Sequence, residues 1–207
     1  IAGVSNSGDE TDWCGHPFSQ ANWYAFGRLA WNPSLSADLI AHGWIEQTFG
    51  QSIDEYAIGD MMITSREACV DYMMPLGLHH LFAFDHHYGP QADGYKAEYP
   101  IEWCPVYYHK ADKKGIGFDR SSKGTNAVSQ YREPYRSMFN NLKTCPDEYL
   151  LWFHHVSWDY KLSNGDTLWD ELCALYYRGI EQVASYQKIW KDAQQYVDAE
   201  RWQKVSI

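Results

Sequence analysis

The sequence predicts a mainly α protein: an irregular helical domain with long structured loops, preceded by one terminal βα unit. Three observations predict it. Apolar residues recur at helical spacing in several segments that open on Ser or Thr and close on Gly or Pro. Between Pro75 and about Thr125 that periodicity fades into a stretch of roughly 50 residues rich in Gly, Pro, His and Tyr, too aromatic for disorder and long enough to be functional. The N-terminal segment reads as an apolar run, a polar loop and a helix, which is strand, loop, helix.

In order, Ile1-Ala2-Gly3-Val4 is the candidate strand, and the polar loop after it carries Asp9, Asp12, Trp13 and His16. In a parallel α/β protein such a loop sits at the carboxyl end of its strand, where α/β barrels keep their active sites. Asp9, Asp12, Trp13 and His16 are therefore candidates for a ligand-facing rim, with turn and capping duties as the alternative. Ser19 caps a helix to about Trp31, with Trp23, Phe26 and Ala30 on one stripe and Pro33 beyond its end. A helix from Ser36 carries Leu39, Ile40, Trp44, Ile45 and Phe49 to a stop at Gly50. Ser52 opens a segment with Ile53, Tyr56, Ala57, Met61 and Met62, and Ser65 caps a third helix that turns Ala68, Cys69, Tyr72 and Met73 inward before Pro75. Short helical patterns return at Ser129 to Phe139 and Asp147 to His154. Thr167-Leu168-Trp169-Asp170 then starts a long amphipathic helix with Leu168, Leu172, Leu175, Ile180 and Val183 along one side. Run to Gln194, it is on the order of 40 Å long. A last helix start at Asp198 has no room to finish.

Composition narrows the partners. With 207 residues, 45% of them hydrophobic, the chain buries a real core in one large domain or one and a half. A net charge of -10 without a long basic run argues against nucleic acid as the partner, because phosphate binding needs a broad positive face. No run of apolar residues is long enough to span a membrane. Five widely spaced cysteines (Cys14, Cys69, Cys104, Cys145, Cys173) without a CxxC pair argue against a disulfide framework or a zinc finger. They lean toward a reducing compartment, so a cytoplasmic location is favoured over a periplasmic or secreted one. The missing initiator Met and the unfinished ends read as a piece of a longer protein.

Ten Trp and sixteen Tyr exceed what packing needs, and planar rings suit the apolar faces of sugars. The segment from Trp103 to Arg120 concentrates them: Trp103, Tyr107, Tyr108 and Phe118 stand beside His109, Lys110 and Arg120. From Lys110 to Lys123 five cations face two acids. Two readings are open, a solvated loop and a receiver for a ligand with a stacking face and a carboxylate, for which Arg120 supplies a planar fork. Tyr107, Tyr108 and Phe118 read as rings packed beneath the loop, whereas Trp103 is the ring expected to face solvent and ligand.

Other chemistries fit less well. The pairs His79-His80, His86-His87 and His154-His155 invite a metal, but adjacent residues diverge in direction and no HExxH motif is present, so no metal ligand is assigned. Gly115-Ile116-Gly117 lacks the third Gly and the following helix of a nucleotide loop, and no GxSxG elbow exists. Asp85, beside His86, reads as an orienter of imidazole. No cofactor is implied.

The runs Asn22 to Pro33, Pro75-Leu76-Gly77-Leu78-His79-His80, His86-His87-Tyr88-Gly89-Pro90, Trp103 to Arg120 and Trp152-Phe153-His154-His155-Val156 together resemble glycoside hydrolase family 67, the microbial α-glucuronidases, over nearly the whole chain. The resemblance implies that residues 1–33 are the last βα unit of a catalytic (β/α)8 barrel. Residues 34–207 are then a helical C-terminal domain, truncated at its end, that packs on its own barrel and N-terminal domain and forms a homodimer. It implies inverting hydrolysis of the α-1,2 bond between (4-O-methyl)glucuronic acid and xylose in glucuronoxylan-derived oligosaccharides. The catalytic carboxylates fall outside this chain, so no residue here is assigned as catalytic, and Trp103 is the stacking residue with His109, Lys110 and Arg120 as loop partners. The family holds the uronate chiefly with barrel residues, which leaves Lys113, Lys114 and Lys123 as solvated surface. A helical dimerisation or scaffold domain and a His-rich metal-binding domain are the competing readings.

Overall fold

The computed structural model describes residues 16–50, 53, 55–79, 83 and 91–206, and it is mainly helical, as the sequence predicts. The candidate strand at 1–4, the loop residues Asp9, Asp12, Trp13 and Cys14, and Ser52, His80, Asp85, His86 and His87 lie outside the described residues. In chain order come α1 (Pro17–Trp31), α2 (Ala37–Phe49), α3 (Glu55–Met73), α4 (Pro105–His109), α5 (Tyr135–Asn140), α6 (Leu150–Phe153), α7 (Leu168–Asp192) and α8 (Ala199–Val205). Two short strands, β1 (Gly115–Ile116) and β2 (Val156–Ser157), pair antiparallel with Gly115 opposite Ser157 and Ile116 opposite Val156.

Several boundaries differ from expectation for local reasons. The imidazole of His16, not Ser19, caps α1: its Nδ1 accepts the Phe18 N–H at 3.2 Å, and Pro17 at the first helical position loses nothing by lacking an N–H. Ser36 caps α2 by accepting the Leu39 N–H, and Gly50 closes it at φ 81°. Ser65 starts no helix. Its hydroxyl donates back to the Met62 carbonyl (2.7 Å), as Thr64 does to Asp60 (2.6 Å), so both are satisfied inside the continuous α3.

Backbone proximity divides the chain into two compact units, one made of the described residues up to Arg66 with those from Glu181 onward, the other of Glu67–Ile180. The first has a core of Ala21, Trp44, Ile45, Ile53, Ile58, Trp190, Ala193 and Val197. Phe18 joins it with ring centroids 5.4 Å from Trp44 and 5.5 Å from Trp190. The stripe expected from Trp23, Phe26 and Ala30 is therefore not the inward one: Phe26 and Ala30 are exposed. The indoles of Trp190 and Trp202 each donate to the other residue's carbonyl, at 3.2 and 3.3 Å, and Asp198 accepts the Arg201 N–H. These contacts let α8 complete two turns where the sequence showed only a start.

The second unit packs Leu78, Ile116, Leu150, Leu151, Val156, Leu162, Leu168 and Leu172 into one cluster, and Val128, Phe139, Cys145 and Phe153 into another. In the latter Phe139 and Phe153 stack at 4.5 Å. Thr167 caps α7, accepting the Asp170 N–H at 3.1 Å and donating to its carboxylate. Leu168, Leu172 and Leu175 are buried, but Ile180 is 61% exposed and Val183 is also exposed, against expectation. The five-residue step from Leu175 to Ile180, at about 100° per residue, turns the side chain off the buried face. At Gly179 a Cβ would sit 3.1 Å from Asp71 and 3.3 Å from the Ala68 carbonyl, so α3 and α7 meet closely there. Beside that contact the buried Asp71 carboxylate takes two hydrogen bonds from Arg178, at 2.6 and 2.7 Å. Ala68 is inward as predicted, whereas Cys69 is exposed.

Candidate functional site

The segment from Pro100 to Arg120, read as a loop, carries short regular elements. Prolines 100 and 105 bracket a single 3₁₀ turn, Ile101–Trp103, and start α4, while Cys104 between them is wholly buried and anchors the turn. Lys110 ends α4 in the left-handed conformation, φ 47°. The Asp112 carboxylate then accepts the Lys114 and Gly115 N–H groups at 2.7 and 3.0 Å, folding the next turn, and those backbone donors hold its carboxyl below the usual range.

From there the chain is stitched onto α6 and β2. The N–H of Gly117 donates to His109, that of Phe118 to Leu151 and that of Arg120 to Phe153, at 2.8, 3.1 and 2.9 Å. Gly117 has φ 103° and its backbone lies so close to the His154 carbonyl that a Cβ has no room. His155 and the Trp158 indole add bonds to the carbonyls of Lys110 and Asp112.

The candidate side chains divide into two layers. His109 is 4% exposed, its Nε2 2.9 Å from the His79 carbonyl and its Nδ1 3.3 Å from that of Ala92. Arg120 is 8% exposed; it donates to the Trp152 carbonyl at 2.6 Å and lies 3.9 Å over the Trp152 ring, with Phe118 and Tyr108 at 4.7 and 5.6 Å. Burial lowers the Arg120 pKa, an effect the Tyr108 and Tyr131 hydroxyls partly oppose. Both side chains thus make their bonds inside the fold, where Tyr107, Tyr108 and Phe118 pack around them. On the outside, Lys110 is exposed with its ammonium 4.8 Å over the Tyr107 ring. Trp103 is 61% exposed, and its indole N–H makes no hydrogen bond among the described residues. Its ring partner, Tyr99, is a residue the sequence reading passed over; the available signal was its place four positions before Trp103, against Pro100.

His16 belongs to the other unit, where its Nδ1 is engaged as the α1 cap, and Asp9, Asp12 and Trp13 lie outside the described residues. The structure therefore gathers four of the candidates, Trp103, His109, Lys110 and Arg120, on one segment. Of the histidine pairs, His154 is buried with Nε2 2.9 Å from the Phe139 carbonyl while His155 is exposed, the divergence expected of neighbours. Among the described residues no three His, Cys, Asp or Glu side chains converge as metal ligands would. A cavity of about 170 Å³ lies beside His109, lined also by Leu78, Val106, Ile116 and Tyr176. A larger groove of about 460 Å³, in the other unit, is lined by Met61, Trp190, Trp202 and Val205 and touches none of the candidate residues.

Chemically the segment offers a stacking surface, an indole N–H and an ammonium. From Trp103 to Arg120 both carboxylates are committed to turns, Asp112 as described and Asp119 by accepting the Ser121 N–H and hydroxyl at 3.0 and 2.6 Å. The segment is thus an aromatic surface on a backbone fixed by hydrogen bonds, with Asp112 and Asp119 spent on structure. The chain belongs to glycosyl hydrolase family 67: the family model for its C-terminus matches residues 14–207. It is 34% identical over 209 residues to a probable alpha-glucuronidase A of Neosartorya fischeri, covering 99% of this chain and 24% of that protein. It is equally 34% identical over 207 residues to the alpha-glucuronidase A of Aspergillus tubingensis (98% of this chain, 24% of the relative) and to that of Emericella nidulans (99% and 24%). The chain thus spans about a quarter of the length of these curated relatives.

Proposed function

We propose that this chain is the C-terminal part of an α-glucuronidase, and that the intact enzyme hydrolyses, with inversion, the α-1,2 link between (4-O-methyl)glucuronic acid and xylose in glucuronoxylan-derived oligosaccharides. The observation that carries this reading is the family match along residues 14–207, supported by the names of relatives aligned over nearly the whole chain. Inversion needs one carboxylic acid to protonate the leaving oxygen and a carboxylate to activate water across the sugar, with space between them for that water. Those groups belong to the barrel outside this chain. In this reading residues 1–33 form the last barrel βα unit, with Asp12, Trp13 and His16 on its rim, and residues 34–207 pack on the barrel and N-terminal domain and on a second copy in a homodimer.

Trp103 is the platform for the xylose side. Its exposure, and an indole N–H that makes no hydrogen bond among the described residues, suit a sugar face and a hydroxyl. Lys110 stands at the outer edge, while His109 and Arg120 act from beneath by holding the loop in shape. The test is hydrolysis of aldotriouronic acid by the intact enzyme, with the anomer formed first read by NMR. Trp103→Ala should lower kcat/KM by a stacking-sized increment, about 1 kcal/mol or more. Turnover by this polypeptide alone would overturn the assignment of catalysis to the barrel, and unchanged kinetics in Trp103→Ala would remove that ring from the site.

A scaffold reading has its own support in the exposed side chains of Trp169, Tyr177 and Ile180 on α7, apolar surface of the kind that seats another protein. It predicts association unaffected by glucuronate or xylose, and it is compatible with the enzyme reading.

A further inference from the structure

Little orients the Trp103 side chain. It is 61% exposed, and its indole N–H makes no hydrogen bond among the described residues. The ring of Tyr99 packs against it, with centroids 5.9 Å apart and planes tilted by 34°, a separation at which aromatic rings attract. Among the described residues this is the one ring contact that Trp103 makes. Tyr99 is itself covered for the greater part, 37% exposed, and makes a further contact beyond Trp103. The backbone beneath the pair is fixed: the Tyr99 N–H donates to Lys96, that of Trp103 to Pro100 and that of Cys104 to Ile101, at 3.2, 2.9 and 3.0 Å, and Cys104 and Pro105 are fully buried. Such a backbone places the Trp103 Cα but leaves the indole its own staggered rotamers, among which the packed Tyr99 ring selects.

We propose that Tyr99 is a positioning residue: its ring holds the Trp103 indole, before any substrate arrives, in the orientation that meets the xylose. The proposal rests on the α-glucuronidase reading, which seats that xylose on Trp103. Tyr99 does not touch the sugar and acts only through the neighbouring indole. Without the Tyr99 ring the indole is free to turn, and the cost of ordering it falls on substrate binding. In the same reading the reacting groups belong to the barrel, so the loss raises KM and leaves kcat unchanged.

The test measures kcat and KM on aldotriouronic acid for the intact enzyme, its single variants and the double variant. Tyr99→Ala should raise KM about threefold with kcat unchanged, the size of ordering one large side chain. Tyr99→Phe keeps the packed ring and should keep the parent KM. Trp103→Ala should raise KM by more, and adding Tyr99→Ala to it should change nothing further, because the indole through which Tyr99 acts is gone. Additive losses in the double variant, as a disturbed fold would give, overturn the proposal. So does an unchanged KM in Tyr99→Ala, a loss in its kcat alone, or an equally large loss in Tyr99→Phe. In each of these cases a Trp103→Ala defect leaves the α-glucuronidase reading standing. Unchanged kinetics in Trp103→Ala remove the platform and the proposal together, and a parent enzyme that releases no uronic acid sinks the α-glucuronidase reading as well.

Discussion

Replacing Arg120 by methionine tests whether this cation holds the loop or waits for an anionic ligand. Methionine keeps an unbranched apolar stem, so the change removes the guanidinium and little packing. What is lost is a charged hydrogen bond to the Trp152 carbonyl at 2.6 Å, worth about 1.5–3 kcal/mol, and the attraction of a desolvated cation to the Trp152 ring 3.9 Å below, worth about 1–2 kcal/mol. The Trp152 carbonyl also loses its partner. Against this stands relief from burying a charge, the cause of the lowered Arg120 pKa. The balance is a destabilisation of about 2 kcal/mol, concentrated where Arg120 joins the 118–128 segment to α6.

Hydrogen exchange in the full-length protein reads this directly. Peptides covering Phe118 to Val128 and Leu150 to His154 should lose protection by about 30-fold, the equivalent of that free energy, while those of α1 and α2 stay unchanged. Arg120→Lys keeps the charge but loses the planar stack, so it should behave like Arg120→Met. Unchanged protection in Arg120→Met, with KM raised and then restored by Arg120→Lys, would refute the reasoning and return Arg120 to the role of a carboxylate ligand.

Gly117→Ala should cost about 2–3 kcal/mol, seen as a lowered unfolding temperature, because it strains φ 103° and drives a Cβ into the His154 carbonyl; a loss below 0.5 kcal/mol would speak against that contact. Asp71→Asn should destabilise by about 2 kcal/mol in urea, below the usual cost of breaking a buried pair because Arg178 remains more than half exposed at its end. Burial pushes the His154 imidazole below its ordinary 6.5, although the Phe139 carbonyl and Asp119 pull the other way. The unfolded chain therefore takes up the proton first, so stability from this group is intact above about pH 6.5 and drains away as pH falls through the lowered folded value. His154→Gln should flatten that part of the pH dependence of the urea midpoint, and an unchanged slope would exclude His154 as its source. Native Cys145, buried with its thiol pushed up to about 12, should resist alkylation at mildly alkaline pH while exposed Cys69 reacts, as mass spectrometry can show.

Local rules written in the sequence determined much of this protein. Ser36 with Gly50, Thr167 with Asp170, and the Leu168-Leu172-Leu175 stripe set helices whose signals lie within a turn or two, and the family motifs were visible in the same letters. The α3 break failed because a serine that can cap a helix can equally satisfy itself inside one. Only the tertiary structure decided which side chains face outward. His109 and Arg120 look like ligands by residue type, but their carbonyl partners come from chain 17 to 32 residues away in sequence, His79, Ala92 and Trp152, and those partners draw them inside. Tyr99 went unnoticed for the same reason: pairing it with Trp103 depends on a turn built by two prolines and a buried cysteine. Spacing along a chain reports periodic contacts, whereas burial of a polar group depends on distant partners that no local pattern encodes.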